Sequence, residues 1–283
     1  MLRQTEMPVF WADRDLERRF VSQAKALADA GFQFVGKPEF LRTLSGGRTN
    51  QHFLIRDAHA YYVLRTANPA SAMLGICRVR ERTLQGLAAD AGLAPAHLCC
   101  VKTRGLDLFE YLSGHTLDAV KLAAMAKQAA QVLHTVHRLP APTPPFDYAA
   151  HLRTLADVTP TKRVMQAIQT LGTHGTRALV HHDPNPSNWR LDNSGLKLID
   201  WEYAANGFAE VDWAALMVEA RRPLAEVACL SRCSEANLLA GHTLYMALGE
   251  AWHKRVLRIT NASPEKRETA YSKGYHSDSE PPT

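Results

Sequence analysis

The chain has 283 residues and a mass of 31.4 kDa, and its 33 basic and 28 acidic residues give a formal net charge of +5. Apolar residues make up 46% of the chain, which is ordinary globular composition and excludes a wholly disordered or collagen-like protein. No apolar stretch is long enough to predict a membrane span, and the first residues lack the pattern of an export signal.

These features predict a cytoplasmic protein with one large or two coupled lobes. The five cysteines form no CxxC pair, so we expect reduced thiols rather than disulfides. The positive charge would suit a phosphate-bearing ligand or a nucleic acid, but the basic residues are scattered along the chain. A solvated basic surface is therefore the favoured interpretation, and neither a nucleic-acid nor a membrane partner is predicted.

The N-terminal part of the chain changes from a helical to an alternating pattern. Residues 12–30 carry apolar side chains at helical spacing, and Gly31 follows where a helix cap is expected. Three short apolar runs come next, at 40–44, 52–55 and 61–64. Turn residues separate these runs, which is typical of an antiparallel meander.

A second helical pattern covers 72–91, and the glycine and proline of 92–95 are predicted to end that helix. Two further strands are predicted over 97–102 and 106–112. The residues at 113–114 then mark a break in the pattern.

The rest of the chain is mainly helical in pattern. An apolar stripe over 122–136 predicts one long helix, and a proline-rich loop follows at 140–145. Further helices are predicted near 147–156, near 160–171 and over most of 212–259.

We therefore predict an α+β chain with three parts. Residues 1–112 form an N-terminal helix and a β-rich lobe, 113–260 form a helical lobe, and 261–283 form a polar tail that is expected to be disordered. A hinge between the lobes is expected near 109–114.

One segment, LVHHDPNPSNWRLDNSGLKLIDWE at 179–202, interrupts the helical half. Two prolines, Pro184 and Pro186, forbid a regular helix at its start and predict a loop. Two apolar runs then flank the turn residues 192–195, which predicts a β-hairpin.

Folding this hairpin would place Asn188 beside Ile199 and close to Asp200, because paired residues of a ladder lie about 4.5–5.5 Å apart at Cα. Carboxylate and amide oxygens suit a hard cation such as Mg²⁺, so Asn188 and Asp200 are the candidate metal ligands. Asp183, on the loop, is the candidate catalytic residue that accepts or orients the proton of an attacking hydroxyl. The alternative is that these side chains only cap turns, which a lone Asp-x4-Asn pattern would favour.

The full string, His181-x-Asp183-x4-Asn188 followed by Ile199-Asp200-Trp201-Glu202, resembles the choline kinase, thiamine kinase and aminoglycoside phosphotransferase group. These are protein-kinase-like enzymes that phosphorylate small molecules, and the resemblance extends over about 38–258. It implies a two-lobed fold, ATP and Mg²⁺ as cofactors, a nucleotide-binding N-terminal lobe and a catalytic helical lobe.

The resemblance also implies where the nucleotide binds. The turn with Gly46 and Gly47 before Asn50 resembles the family's phosphate-covering turn, although a glycine hairpin turn would explain it equally well. Arg65 resembles the basic residue on the third strand that holds phosphates, and Glu81 the glutamate that pairs with it. The alternative for Arg65 is an exposed arginine at a strand end, and the alternative for Glu81 is one of many surface glutamates.

The same resemblance implies which residues form the hinge and which support the catalytic loop. Main-chain groups of Glu110 and Leu112 would bond to adenine at the hinge. Asp212 resembles an aspartate that braces the catalytic loop, although a helix N-cap would also explain it. We expect His181 to pack and hydrogen-bond in the loop core, and we predict no role for His182.

The acceptor is predicted to be a small cationic alcohol, because residues 194–204 resemble bacterial thiamine kinases. A quaternary nitrogen needs a carboxylate and aromatic faces, and the candidates are Glu202, Glu219, Tyr245 and Trp252. Core packing is the alternative for the two aromatic residues. Choline or ethanolamine is the second choice of acceptor, aminoglycosides or amino sugars the third, and a nucleotide-binding regulatory protein without activity is the non-enzyme alternative. The oligomeric state is not predicted.

Overall fold

The computed structural model describes residues 16–44, 50–156 and 159–261. The chain forms two compact units that are each discontinuous in sequence. The sheet unit takes Met1–Ala72, His97–Tyr111 and Val256–Thr283, and the helical unit takes Met73–Ala96 and Leu112–Arg255. The predicted turn with Gly46 and Gly47 and the predicted tail lie outside the described residues.

The sheet unit contains one helix and a five-stranded antiparallel sheet. The helix is α1 (Leu16–Asp29), and the strands are β1 (Glu39–Leu44), β2 (Asn50–Arg56), β3 (Tyr61–Ala67), β4 (His97–Val101) and β5 (Leu106–Glu110). Their order across the sheet is β1-β2-β3-β5-β4, so the chain runs as a meander with the last two strands exchanged. The predicted strands are thereby confirmed.

The helix α1 covers one face of this sheet because its apolar side chains lie on one stripe. Phe20 and Leu27 are buried in the same core as Ile55, Leu64 and Leu108 of the strands. Those apolar side chains hold the sheet unit together through the loss of water-exposed surface.

The turn between β2 and β3 is shaped by the carboxylate of Asp57. It accepts hydrogen bonds of 2.9 Å from the backbone N–H groups of Val35, His59 and Ala60, and one of 3.0 Å from the Tyr62 hydroxyl. Burial alone would raise the pKa of Asp57, but these hydrogen bonds outweigh it and hold the pKa at about 2.

The helical unit holds the remaining helices and two small sheets. Its helices are α2 (Arg78–Asp90), α3 (Ala119–Ala124), α4 (Ala126–Val136), α5 (Tyr148–Ala156), α6 (Lys162–His174), α7 (Ala209–Glu219), α8 (Leu224–Ser231) and α9 (Glu235–Asn261). Its strands are β6 (His115–Thr116), β7 (Arg177–Val180), β8 (Trp189–Asp192), β9 (Gly195–Leu198) and β10 (Ala205–Phe208). They pair as β6-β8-β9 and β10-β7.

The start of α2 differs from the prediction of a helix from residue 72. Gly75 has a φ of +71° and Cys77 is extended, so the α-helix begins only at Arg78. The helix belongs to the helical unit because Leu84 and Ala88 are fully buried in that unit's core. The predicted lobe boundaries, which placed this helix with the sheet, remain a prediction.

The long helix predicted over 122–136 is interrupted. Met125 has a φ of −103° and a ψ of 18°, and its N–H bonds to the carbonyls of both Lys121 and Leu122. The regular series of helical hydrogen bonds is therefore interrupted at Met125, which separates α3 from α4.

Three strands of the helical unit, β6, β7 and β10, were not predicted, whereas the hairpin of β8 and β9 is confirmed. Its register pairs Trp189 with Leu198. Three tryptophans, Trp189, Trp201 and Trp213, are almost fully buried and are among the largest side chains of this core. The antiparallel sheet of one unit and the mainly helical content of the other confirm the predicted α+β class. In the part of the chain that the structure describes, none of the helices has both the length and the hydropathy of a membrane span.

The depressed pKa of Asp57 predicts how a variant depends on pH. The ionised carboxylate stabilises the fold above its unfolded pKa of 3.8, and this contribution is lost as the pH falls through the folded pKa of about 2. We expect Asp57→Asn to be destabilised in urea unfolding at neutral pH, and the difference from wild type to shrink as the pH approaches 2. An equal difference at both pH values would contradict this account.

Candidate active site

A buried carboxylate holds the loop that carries Asp183. Asp212 lies fully buried on α7 and accepts hydrogen bonds from the backbone N–H groups of His181 (2.9 Å) and His182 (2.8 Å), and it bonds to His137 Nε2 at 3.0 Å. Burial raises the pKa of Asp212, but the hydrogen bond and the charge interaction with His137 outweigh it and leave the pKa below its ordinary value. Asp212 is not the N-cap of α7, because that helix begins three residues earlier.

The imidazole of His181 closes the same loop. Its Nε2 lies 3.1 Å from the carbonyl oxygen of Ile199, and its Nδ1 accepts the backbone N–H of Asp183 at 3.3 Å. Burial lowers the pKa of His181, so a neutral ring that donates from Nε2 fits both contacts. The predicted placement of His181 in the loop core agrees with this geometry.

His182, for which no role was predicted, is a second support of the loop. It has a φ of 69°, its Nδ1 lies 3.0 Å from the Tyr203 carbonyl oxygen, and its Nε2 lies 2.8 Å from the Tyr148 hydroxyl. Burial lowers the pKa of His182 to about 3. The ring is therefore a neutral bridge between the loop and the segment after β9.

The hairpin brings Asn188 to the segment with Asp200. The N–H of Ile199 donates to the carbonyl oxygen of Asn188 at 2.9 Å, which continues the ladder one residue beyond β8 and β9. Asp200 then adopts a φ of 64°, a left-handed conformation that is uncommon for a residue with a side chain. The chain turns sharply at Asp200, and such strain is concentrated at functional sites.

The carboxylate of Asp183 lies in a network of amide donors. Asn185 Nδ2 donates to its Oδ1 at 2.9 Å, and Asn188 Nδ2 donates to its Oδ2 at 3.2 Å. Burial raises the pKa of Asp183 to about 7, and the carboxylates of Glu202 and Glu219 add to the rise while the two amides oppose it. A carboxylate with a pKa near neutrality suits a group that takes up a proton.

The chemistry of the donors fits a magnesium ion. Asn188 uses its amide nitrogen for Asp183, with a further bond of 2.9 Å to the Asp183 carbonyl oxygen, so its Oδ1 is the atom that can bind a cation. Asp200 contributes a carboxylate from the neighbouring chain segment. Two oxygen ligands with room for water and phosphate are typical of protein Mg²⁺ sites.

Acidic and aromatic side chains lie around Asp183. The Tyr245 hydroxyl donates to Glu219 at 2.8 Å, and Trp252 Nε1 donates to the Tyr203 hydroxyl at 2.7 Å. Burial raises the pKa of Tyr203 well above its ordinary value, and the carboxylates of Glu202, Asp200 and Asp183 raise it further. These groups therefore lie close enough together to influence one another.

The aromatic residues of this group also pack against the core. Tyr245 and Trp252 lie partly buried against the helical unit's apolar core, which is the packing role that the sequence left open. Their polar atoms nevertheless engage Glu219 and Tyr203.

Glu202 lies in an ion-pair group with α2. Arg78 Nη1 donates to Glu81 at 2.8 Å and lies 3.4 Å from the Glu202 carboxylate. Both glutamates are almost fully buried, at 1% and 4% side-chain exposure, so Glu81 is not one of the surface glutamates.

In the sheet unit, Arg65 is buried in the middle of β3 rather than exposed at a strand end. It donates to Asp107 at 2.8 Å, and its guanidinium lies over the ring of Phe109 at 5.0 Å. The other oxygen of Asp107 lies 2.9 Å from His97 Nε2. Asn50 is also buried, at the start of β2. These contacts hold the Arg65 guanidinium in one place.

The predicted hinge residues lie on either side of the division between the units. Glu110 is exposed at the end of β5, and Leu112 is buried at the start of the next segment of the helical unit. Arg190 of β8 holds that segment through its side chain, which donates to the carbonyl oxygens of Leu112 (2.7 Å), Ser113 (3.1 Å) and Gly114 (3.0 Å).

Besides His182, sequence reasoning missed four residues that organise these groups: Arg78, Asp107, Arg190 and Tyr203. The contacts of Arg78 with Glu202 and of Arg190 with residues 112–114 join positions far apart in the chain, which local patterns do not reveal. Tyr203 carried a signal, because it directly follows the Asp200-Trp201-Glu202 motif.

The sequence of this chain matches one family model. The model of the phosphotransferase enzyme family covers residues 41–230, which is more than half of the chain. The chain belongs to the phosphotransferase enzyme family. A search of curated proteins finds no match.

Solved structures of kinases share the fold. Choline kinase LicA from Streptococcus pneumoniae is 21% identical with a TM-score of 0.70, over 91% of this chain and 97% of that kinase. Plasmodium vivax ethanolamine kinase is 14% identical with a TM-score of 0.61, over 95% and 89%. The aminoglycoside phosphotransferase APH(4)-Ia, solved with AMP-PNP and hygromycin B, is 17% identical with a TM-score of 0.61, over 92% and 96%.

These matches confirm the predicted family and the predicted class of enzyme, a phosphotransferase. The narrower resemblance to bacterial thiamine kinases stays a prediction.

The bracing of the loop by Asp212 predicts a stability effect. Asp212→Ala leaves two buried backbone N–H groups without their acceptor, so we expect a loss of about 3 kcal/mol or more of unfolding free energy in urea. Asp90→Ala, an exposed change at the end of α2, is the matched control and should stay close to wild type. Equal stability of the two variants would show that Asp212 does not hold the loop.

Proposed function

We propose that this enzyme transfers the γ-phosphate of ATP to the hydroxyl of a small cationic alcohol, with thiamine as the first candidate. The observation that carries the proposal is the acidic and aromatic surrounding of Asp183, with Glu219 bonded to Tyr245 and Tyr203 bonded to Trp252. Carboxylates and aromatic faces attract a quaternary or protonated nitrogen.

Asp183 is proposed as the catalytic residue. Its carboxylate would accept a hydrogen bond from the acceptor hydroxyl and take up the proton as that oxygen attacks phosphorus. The amides of Asn185 and Asn188 orient the carboxylate, and the loop that carries it is fixed through Asp212. The contribution of the chain is then mostly positioning, because phosphoryl transfer leaves little covalent work for protein groups.

Asn188 and Asp200 are proposed as the ligands of Mg²⁺. When bound, MgATP supplies the phosphoryl group, and the cation neutralises its charge. That APH(4)-Ia binds AMP-PNP supports ATP as the donor.

The remaining nucleotide contacts are proposed from the family resemblance. They are Arg65, Asn50, Gly46 and Gly47 for the phosphates, Glu81 as a partner of Arg65, and the main chain of Glu110 and Leu112 for adenine. The ion pair with Asp107 holds the Arg65 guanidinium in place. This supports a role of Arg65 in phosphate binding, because the N–H groups of a planar guanidinium match the spacing of phosphate oxygens. The bond from Arg190 to the Leu112 carbonyl leaves the N–H of that residue as the group to offer adenine.

Of the two glutamates predicted to bind the acceptor, we propose Glu219 as the one that contacts the cationic nitrogen. Its carboxylate is partly exposed and accepts a hydrogen bond from an uncharged tyrosine hydroxyl rather than from a cation. The charge of Glu202 is offset by Arg78.

Choline and ethanolamine are the next candidate acceptors, because they share the cationic nitrogen and the hydroxyl. One screen separates the candidates: purified protein with MgATP is offered thiamine, choline, ethanolamine, an amino sugar and an aminoglycoside, and phosphorylated products are identified by mass spectrometry. Thiamine should be phosphorylated fastest, and faster phosphorylation of the amino sugar or the aminoglycoside would contradict the proposed acceptor. MgATP binding without any product would favour the regulatory, non-enzyme alternative.

Two variants should separate catalysis from metal binding. Asp183→Ala should keep MgATP affinity in calorimetry and lose turnover by about a hundredfold or more, because the proton acceptor is lost while Asn188 keeps its bond to the Asp183 carbonyl oxygen. Asp200→Ala should instead weaken the metal-dependent binding of ATP. A normal kcat for Asp183→Ala, or unchanged MgATP affinity for Asp200→Ala, would contradict the role given to that residue.

The role of Glu219 predicts a change in acceptor binding. Glu219→Gln should raise the KM for the cationic acceptor by about tenfold with a smaller change in kcat, because the lost charge acts on binding. Glu235→Gln removes the same charge at an exposed position on α9 and should leave the KM unchanged. If both variants keep the wild-type KM, Glu219 does not bind the cation.

A further inference from the structure

Arg78 joins two carboxylates that are far apart in sequence. Its Nη1 donates to Glu81, three residues along α2, and reaches Glu202, which lies 124 residues away. The side chains of Arg78, Glu81 and Glu202 are only 15%, 1% and 4% exposed. All three belong to the helical unit.

The burial of this group makes its integrity important. Removing one partner of a buried ion pair leaves an uncompensated charge in a poorly solvated place, which is far more costly than the pair itself is stabilising. Arg78 places one guanidinium against both buried glutamates, one on α2 and one on the segment after β9.

The helix end of the bridge is firmly held. Leu84 and Ala88 of α2 are fully buried in the core, and Gln85 Nε2 donates to the Pro95 carbonyl oxygen at 3.0 Å. The backbone that carries Arg78, in the first turn of this helix, is therefore held in place.

The other end of the bridge lies beside the proposed metal ligand. Glu202 follows Asp200 by two residues, and Asp200 has the left-handed φ of 64°. Trp201 between them is fully buried, and its Nε1 donates to the Leu198 carbonyl oxygen at 3.0 Å. A left-handed conformation at a residue with a side chain persists only where its surroundings hold it.

We propose that Arg78 is a positioning residue: through Glu202 it ties the turn at Asp200 to α2 and so sets the place of the Asp200 carboxylate. This inference rests on the proposed function, in which Asp200 holds the metal of MgATP. It assigns Glu202, predicted from the sequence to bind the acceptor, to the support of the metal-binding turn. Glu219 is then the carboxylate that attracts the cation.

The proposal predicts which constants change. Arg78→Met and Glu202→Gln should each weaken MgATP binding by about tenfold in calorimetry and lower kcat, because both break the same contact. The acceptor KM should stay near the wild-type value. An acceptor-binding Glu202 would give the opposite pattern, a raised acceptor KM with normal MgATP affinity.

Controls separate positioning from general destabilisation. Arg153→Met makes the same substitution at an exposed site on α5 and should bind MgATP as wild type does. Arg78→Lys keeps the charge without the planar fork and should recover part of the affinity. Urea unfolding of each variant shows which are folded, and Glu202→Gln, which keeps the shape of the side chain, carries the test where Arg78→Met does not fold.

The double variant gives the deciding result. If Arg78 acts through Glu202, the losses of MgATP affinity in the two single variants should not add in Arg78→Met with Glu202→Gln. Additive losses, or normal MgATP affinity in both single variants, would overturn the proposal while leaving the phosphotransferase in place. If the wild-type protein neither binds MgATP nor turns it over, the proposed function itself fails.

Discussion

The hydrogen bonds that the Asp212 carboxylate accepts inside the helical unit fix the geometry on which the site depends. The N–H groups of His181 and His182 point inward at the start of a loop that two prolines keep from becoming helical. A buried carboxylate satisfies both donors and directs the chain so that Asp183 follows at the open end of the hairpin. Neutral, buried imidazoles then close the loop against Ile199 and Tyr203.

Negative charge is concentrated around this loop, and its distribution separates the proposed roles. Burial and neighbouring carboxylates raise the pKa of Asp183 to about 7, which suits proton transfer. Arg78 offsets the charge of Glu202, whereas Glu219 accepts a hydrogen bond from the uncharged hydroxyl of Tyr245. In the proposed roles, one carboxylate is a base, one is a support and one binds the acceptor, and the partners of each carboxylate distinguish these roles.

Local patterns in the sequence predicted the meander, the hairpin and the meeting of Asn188 with the Asp200 segment, because turn residues and alternation act over a few positions. They failed where the deciding contact is distant: the short strands β7 and β10 are defined only by their pairing, and the bridge from Arg78 joins residues 124 positions apart. The late start of α2 reflects the backbone of Gly75, whose positive φ a periodicity does not reveal. The acceptor residues depend on how α7 and α9 pack, which local patterns do not determine.

The most direct test follows phosphorus during the reaction. In ³¹P NMR of the protein with MgATP and a cationic alcohol, we expect a phosphomonoester signal to grow as the γ-phosphate signal of ATP declines, with no such ester when Asp183 is replaced by Ala. An ATP spectrum that stays constant for every alcohol, although MgATP is bound, would contradict the claim that these oxygen donors form a phosphotransfer site.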